Sequence, residues 1–278
     1  MIAIPYEDHR LGLEGAEFIF REVRSQSEMH DALALRYSVY SRASELSKLH
    51  SLDSVTSLDV DEFDEVSQQF VLLERKGQRD LVVGTLRLTT MAASPQVAAL
   101  RSLASAHPTV AARLAAGREA ALPLLGYLRS ARVNASAIER RLEDGERLIE
   151  AGRFTLDPGT LAATARRGIR LSHFMIRCAI AHVCGLGGAD RVLIHVRCCA
   201  RHLEQLYGAF GFRRSPSLSA TLRDERDTEF VILEATPESV PQAFVPGIQE
   251  LAHGLIACGE ARLRVRSRAL RTLAVAEA

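Results

Sequence analysis

Four short runs of the sequence combine charged side chains with spacings suited to acid–base or anion-holding chemistry. Arg36 and Tyr40 stand four residues apart, one helical turn, on the apolar side of the segment that follows Ser25. The run Asp59-Val60-Asp61-Glu62-Phe63-Asp64 places four carboxylates in six residues, and in an extended segment Asp59 and Asp61 point the same way. Arg87 lies inside Gly84-Thr85-Leu86-Arg87-Leu88, and Glu150 and Arg153 lie inside Glu150-Ala151-Gly152-Arg153-Phe154, both otherwise fit for a core strand. Charges in core strands are costly unless paired. Arg36, Arg87 and Arg153 against Asp59, Asp61, Asp64 and Glu150 make a matched set. Such a set either pins a loop to a sheet by salt bridges or serves binding and proton transfer. Its placement on a loop and in two strand interiors, not on a solvated helix face, favours use in function.

The elements that must position these side chains follow from pattern. Residues 17–23 read as a strand, and Ser25 or Ser27 caps a helix whose face carries Met29, Leu33, Arg36 and Tyr40. Residues 44–66 read as a long polar excursion without an obvious element, and 69–74 and 81–90 as a pair of strands joined by a turn. Residues 92–147 are Ala-rich and helical in composition. A strand over 148–156 ends at Asp157-Pro158-Gly159, followed by a helix from about 168 to 184. A strand over 191–196, a helix over 203–210, a strand near 229–234 and a tail with weak helical periodicity complete the chain. This order is α/β. It divides the chain into a domain over 1–239, with a helical insertion at 92–147, and a C-terminal extension over 240–278.

Composition narrows the function classes. The 278 residues are 47% hydrophobic and 25% charged, enough for a real core, and the net charge of +1 argues against a wholesale nucleic-acid or membrane-surface binder. No stretch reaches 18 apolar residues, since 171–189 is broken by His173, Arg177 and His182, so no integral membrane segment is expected. The first ten residues lack the layout of a signal peptide, and five cysteines fit a reducing, cytoplasmic setting. Only Lys48 and Lys76 are lysine, so arginine carries almost all the positive charge and any single arginine match needs support from its neighbours.

Taken in order, Leu35-Arg36-Tyr37-Ser38-Val39-Tyr40, Asp59-x-Asp61-x-Phe63-Asp64, Val83-Gly84-Thr85-Leu86-Arg87-Leu88 and Glu150-x-x-Arg153-Phe154 resemble the core of the autoinducer (acyl-homoserine-lactone) synthases. They look closer still to the related N-acyl amino acid synthases. Leu206-Tyr207-Gly208-Ala209-Phe210-Gly211-Phe212 is similar to the Tyr…Gly-Phe end of the wider GNAT acyltransferase fold, and the resemblance spans residues 30–90 and 148–213. It implies a GNAT-like mixed central sheet flanked by helices, with a V-shaped opening between central strands. An acyl-thioester's pantetheine arm would enter that opening, with the acyl chain in a hydrophobic tunnel. The donor is then a long-chain acyl-acyl-carrier-protein, less readily acyl-coenzyme A. The reaction is N-acylation of an amino acid in lipid biosynthesis, without a covalent enzyme intermediate, a resident cofactor or a metal. The chain departs from the autoinducer synthases in having no Trp, in Gly152 where they carry serine, and in Asp59 where they carry glutamate. These departures count against S-adenosylmethionine as acceptor. An autoinducer synthase, an acetyl-coenzyme A acetyltransferase and a non-catalytic carrier-protein-binding accessory protein are the alternatives.

Within that reading the acceptor arrives as an ammonium and must lose a proton before it attacks the thioester. Asp59, Asp61 and Glu150 are the candidate bases, helped by any desolvation that raises their pKa. Arg153 or Arg87 would hold the acceptor's carboxylate in a fork, or orient the acids. Arg36, Tyr40, Asp64 and Phe154 complete the binding side. A backbone N–H after Arg153 is the expected oxyanion donor.

Arg166, Arg167 and Gly168 sit where GNAT enzymes carry a pyrophosphate loop, although Ala165 and Arg170 replace its end residues. His195-x-x-Cys198-Cys199-x-x-His202 lacks a second ligand pair for zinc and reads as buried thiols and a satisfied histidine. Gly185-Leu186-Gly187-Gly188 precedes a strand and reads as a helix stop. Tyr207 is either the acid that protonates the leaving thiolate or core packing. Arg262, Arg264, Arg266, Arg268 and Arg271 form either a solvated basic face or a dock for an acidic carrier protein.

Overall fold

The first strand, β1 (Glu17–Glu22), is buried on both faces, because Ile19 points to one helical layer while Phe18 and Phe20 point to another. A computed structural model describes residues 16–43, 51–90, 96–115, 120–197, 201–218, 221–223 and 229–265. After β1 come α1 (Gln26–Tyr40), the short strands β2 (Leu52–Asp53) and β3 (Leu58–Asp59), and the long strands β4 (Ser67–Lys76) and β5 (Arg79–Thr89). The helices α2 (Val97–Ala106), α3 (Pro108–Ala115), α4 (Pro123–Ser130) and α5 (Ser136–Glu143) lead to β6 (Leu148–Leu156). Then follow α6 (Pro158–Ala165), α7 (Leu171–His182), β7 (Arg191–Arg197), α8 (Arg201–Gly208), β8 (Arg213–Arg214), β9 (Leu222–Arg223), β10 (Glu229–Ala235), α9 (Val245–Cys258) and β11 (Glu260–Arg264).

Nine strands form one mixed sheet in the order β11-β1-β4-β5-β6-β7-β10-β8, with β9 also on β10. Every ladder is antiparallel except β6 with β7. Helices cover both faces. On one side α1, α2 and α3 bury Ile19, Val71 and Leu73, while Leu122, Leu124, Leu125 and Leu128 around α4 pack on Leu148, Leu193, Phe230 and Ile232. On the other side α7 and α9 close over Phe18, Phe20, Phe70, Leu72, Ile149 and Val231. The helical insertion is therefore part of the core of one face. Its helices place leucines at one-turn spacing and cannot stay solvated without exposing them.

Three stretches differ from their sequence reading. Within the excursion at 44–66, β2 and β3 form a small hairpin and residues 64–66 a single 3-10 turn; residues 44–50 lie outside the described residues. The Asp157-Pro158-Gly159 stop is also a start, because the Asp157 carboxylate accepts the Thr160 N–H at 2.7 Å and Pro158 occupies the first turn of α6. The next helix accordingly begins at Leu171, after Gly168 in a left-handed conformation. In the C-terminal extension α9 ends at Gly259, also left-handed, and β11 pairs with β1 from Glu17↔Arg264 to Arg21↔Glu260. Glycine is required at Gly211, where an added Cβ would lie 2.1 Å from the Ser239 carbonyl oxygen.

Candidate active site

Arg36 belongs to the buried stripe of α1, with Met29, Ala32, Leu33 and Tyr40, and is only 1% exposed. A guanidinium there must be paired, and the segment from β3 to the 3-10 turn supplies its partners. Arg36 Nε donates to Asp59 at 2.7 Å, while Nη1 and Nη2 fork onto Asp64 at 3.1 and 3.3 Å. Arg87 Nη1 donates to Asp64 at 3.0 Å and to Asp61 at 2.5 Å. Arg153 Nη2 donates to Asp61 at 2.6 Å and to the Ser51 hydroxyl at 3.0 Å, and Arg153 Nε lies 3.5 Å from Asp59. Each carboxylate thus bridges two guanidiniums, and the six groups close into an alternating ring: Arg36, Asp59, Arg153, Asp61, Arg87, Asp64 and back to Arg36. Three positive charges meet three negative ones. Gln69 Nε2 and the Asp61 N–H add two further donors to Asp64, at 2.8 and 2.9 Å.

Arg153 reaches the ring because β6 carries a bulge. Thr85 and Arg87 of β5 face Thr155 and Gly152 of β6, so two steps on one strand match three on the other. The extra residue is Arg153 at φ +53°, and its side chain turns to the α1 side instead of the opposite face. The Thr85 hydroxyl donates to the Arg153 carbonyl at 3.2 Å, and the guanidinium lies 5.7 Å over the Tyr40 ring. Tyr40 is itself fixed by Thr155, whose hydroxyl donates to the Tyr40 oxygen at 2.9 Å. A non-glycine residue at positive φ costs on the order of 1 kcal/mol or more and persists only where surrounding contacts hold it.

The ring sets the electrostatics of its acids. Burial pushes Asp61 up, but Arg87, Arg153 and Arg36 together pull its carboxyl far below the usual carboxylate range. Burial likewise raises Asp59, and Arg153 and Arg36 outweigh it, leaving that group low as well. Desolvation therefore does not turn these acids into stronger bases here, because the guanidiniums enter the same dry space.

Glu150 stands apart from the ring, although the sequence groups it with Arg153. It is buried, its Oε2 accepts the Leu124 N–H in the first turn of α4 at 2.6 Å, and its Oε1 lies 3.3 Å from His195 Nδ1. The Tyr127 ring packs on the His195 imidazole with centroids 4.4 Å apart. Burial raises the Tyr127 phenol, and Arg153, Asp61, Arg197 and Glu150 all act on it, so Tyr127 lies within electrostatic reach of both the ring and Glu150. His195 and Tyr127 are additions to the residues singled out from sequence. The His195 motif pointed to metal or core packing, and Tyr127 lies in a stretch whose only visible signal was helical composition.

The two neighbourhoods meet where the sheet opens. The β6–β7 ladder runs only from Leu148↔Arg191 to Glu150↔Leu193. Beyond it, residues 151–154 are half-buried, and a Cβ placed on Gly152 would meet no atom within 4 Å. Phe154 faces Tyr207 edge-on at 6.4 Å, and burial raises the Tyr207 phenol, with Tyr40 adding to the effect. Arg166, Arg167 and Gly168 are exposed on the turn before α7, away from the ring. On β11, Arg264 donates to Glu17 at 2.8 Å, and Arg262 pairs with Glu17 and Glu260. Arg266, Arg268, Arg271, Cys198 and Cys199 lie outside the described residues, among which no group of three metal-ligating side chains occurs. No helix among them is long and apolar enough to cross a membrane.

A family model of the acetyltransferase (GNAT) domain matches residues 35–161, from α1 through the acidic run, the bulged strand and the start of α6. Over that stretch, less than half of its length, the chain is similar to this family. Among solved structures, FeeM, an N-acyl amino acid synthase from uncultured soil microbes, is similar at 14% identity and TM-score 0.48, covering 80% of this chain and 92% of its own. BjaI, a coenzyme A-dependent acyl-homoserine lactone synthase, is similar at 14% identity and TM-score 0.45, covering 80% of each chain. A point mutant of the spermidine N-acetyltransferase SpeG from Vibrio cholerae is similar at 10% identity and TM-score 0.42, covering 81% of this chain and 97% of its own. No curated protein matches the chain.

Proposed function

We propose that this GNAT-type protein is an N-acyltransferase that moves a long-chain acyl group from an acyl-carrier-protein thioester to the amine of an amino acid. The observation that carries the reading is the end of the β6–β7 ladder at Glu150, with the neutral arginine–aspartate ring on one side and the Glu150–His195 pair on the other. The thioester arm lies between the parted strands, and its acyl carbonyl meets the bulged part of β6. Arg166, Arg167 and the N-terminal turn of α7 are the groups that meet the phosphate of the arm. The acceptor occupies the space over Gly152. The ring holds Arg153 rigidly, and Arg153 Nη1, which makes no hydrogen bond to the described residues, faces the acceptor's carboxylate. The ammonium then lies toward Glu150 and loses its proton on that side. The amine attacks the carbonyl carbon, the C–N bond forms as the C–S bond breaks, and the amine's second proton ends on the thiolate by way of the Tyr207 hydroxyl.

Mass spectrometry of lipid extracts from cells expressing the protein tests this reading against a Glu150→Gln control. The expected result is a series of N-acyl amino acids in the wild type alone. Absence of any such product, both in cells and from purified protein given acyl-carrier-protein thioesters and amino acids, would contradict it.

A further inference from the structure

His195 stands where the paired part of β6 and β7 ends. Continuing the Glu150↔Leu193 register by two residues sets it opposite Gly152, the position with open space above it. From β6, Glu150 Oε1 approaches Nδ1 at 3.3 Å. From α4, Tyr127 packs on the ring at 4.4 Å, and from β10 Phe230 meets it edge-on at 6.5 Å. Arg191 and Arg197 are the charged groups on its own strand, and Arg153 and Asp61 lie within electrostatic reach of Tyr127. Glu150 is held in place by the Leu124 N–H. A carboxylate beside Nδ1 selects the tautomer protonated there, which leaves Nε2 with a bare lone pair. Asp59 and Asp61 are engaged by two guanidiniums each, so the imidazole is the better-placed acceptor for a proton arriving over Gly152.

We propose that His195, oriented by Glu150, takes the proton from the acceptor's ammonium in the space over Gly152. The inference rests on the amine-acylation reading and names the base within it. The Nε2 lone pair accepts one proton from R–NH3+, and the resulting amine forms the C–N bond. The second amine proton leaves with the tetrahedral intermediate's collapse and ends on the thiol. The imidazolium returns its proton to water. Glu150 in this scheme is a positioning residue.

Two measurements test it. In rate assays with palmitoyl-acyl-carrier-protein and a mixture of amino acids, His195→Gln should lower kcat/KM for the acceptor roughly 10²–10⁴-fold at pH 7. The deficit should shrink as the pH rises toward the amine's own pKa, because the acceptor then arrives already deprotonated. A deficit of the same size from pH 7 to 10, or activity within about twofold of wild type, would overturn the proposal alone. Absence of product from the wild type would overturn the acylation reading and the proposal with it. Without any substrate, nitrogen NMR of the imidazole, assigned by difference from His195→Gln, should show Nδ1 protonated and Nε2 bare in the wild type. The opposite tautomer would overturn the proposed orientation.

Discussion

Asp59, Asp61 and Asp64 each sit between two guanidiniums, whereas Glu150, on the same face of the sheet, has a backbone N–H and an imidazole as its partners among the described residues. The difference separates two uses of a buried carboxylate. In the ring, charge is cancelled locally, the guanidiniums hold Asp59 and Asp61 below the usual carboxylate range, and the product is rigidity: a loop, a helix and two strands are tied to one point. At Glu150 no guanidinium among the described residues pairs with the charge, and the carboxylate can respond to a neighbour that gains or loses a proton. On the proposed reading, proton transfer belongs to the second kind of site, and geometric support for it to the first.

The contrast is most severely tested by opening the ring. Arg36→Met leaves Asp59 and Asp64 each short of one cation in a dry environment, and urea unfolding should show a loss of roughly 3–5 kcal/mol. A loss under about 1 kcal/mol would mean that water or a rearranged Arg153 relieves the acids. Next in size, Glu150→Gln keeps an oxygen for the Leu124 N–H but removes the charge beside His195. It should cut acyl transfer roughly 10²-fold or more while shifting the unfolding midpoint little.

A third test uses acid. His182 is buried, its Nε2 lies 3.0 Å from Gln68 Oε1, and desolvation lowers it from 6.5 to about 4. The unfolded chain therefore binds the extra proton between those values. This contribution to stability is full above about pH 6.5 and is lost as the pH falls toward 4, to a limit of roughly 3 kcal/mol. The depressed Asp59 and Asp61 act in the same direction at lower pH, since their stabilisation is present above the ordinary aspartate value and lost on protonation. His182→Asn should flatten the stability profile between pH 4 and 6.5 and leave the steeper loss below it. The smallest effect is expected at Gly152→Ser, within about 0.5 kcal/mol of wild type in unfolding, because the added atoms enter open space. Gly152→Val, at similar stability, should raise the acceptor's KM by filling that space.

Much of the ring was legible in the sequence, because arginines in the middle of strands and a dense acidic run make sense only if they meet. Its closure was not. It depends on the bulge at Arg153, which no periodicity announces, and on the hairpin of β2 and β3, whose two-residue strands fall below any pattern. The same bulge puts Glu150 and Arg153, three residues apart, on one face of the sheet, where they serve different neighbours. His195 was hidden for another reason: it meets Glu150 only across a parallel pairing whose strands are separated by α6, α7 and their turns. The sheet order was readable as α/β, but β11 was not. Its partner β1 lies at the other end of the chain, and its alternation is carried by Ala261 and Leu263 between charged residues.

The most direct test of the division between scaffold and chemistry compares Asp61→Asn with Glu150→Gln in parallel, measuring unfolding midpoint and the pH dependence of acyl transfer on the same preparations. Asp61→Asn should lose stability by several kcal/mol and, where it still turns over, keep the shape of the wild-type pH profile. Glu150→Gln should keep its stability and lose the limb of the profile that reports deprotonation of the base. A stable Asp61→Asn with an altered profile, beside a Glu150→Gln variant with the wild-type one, would contradict the assignment.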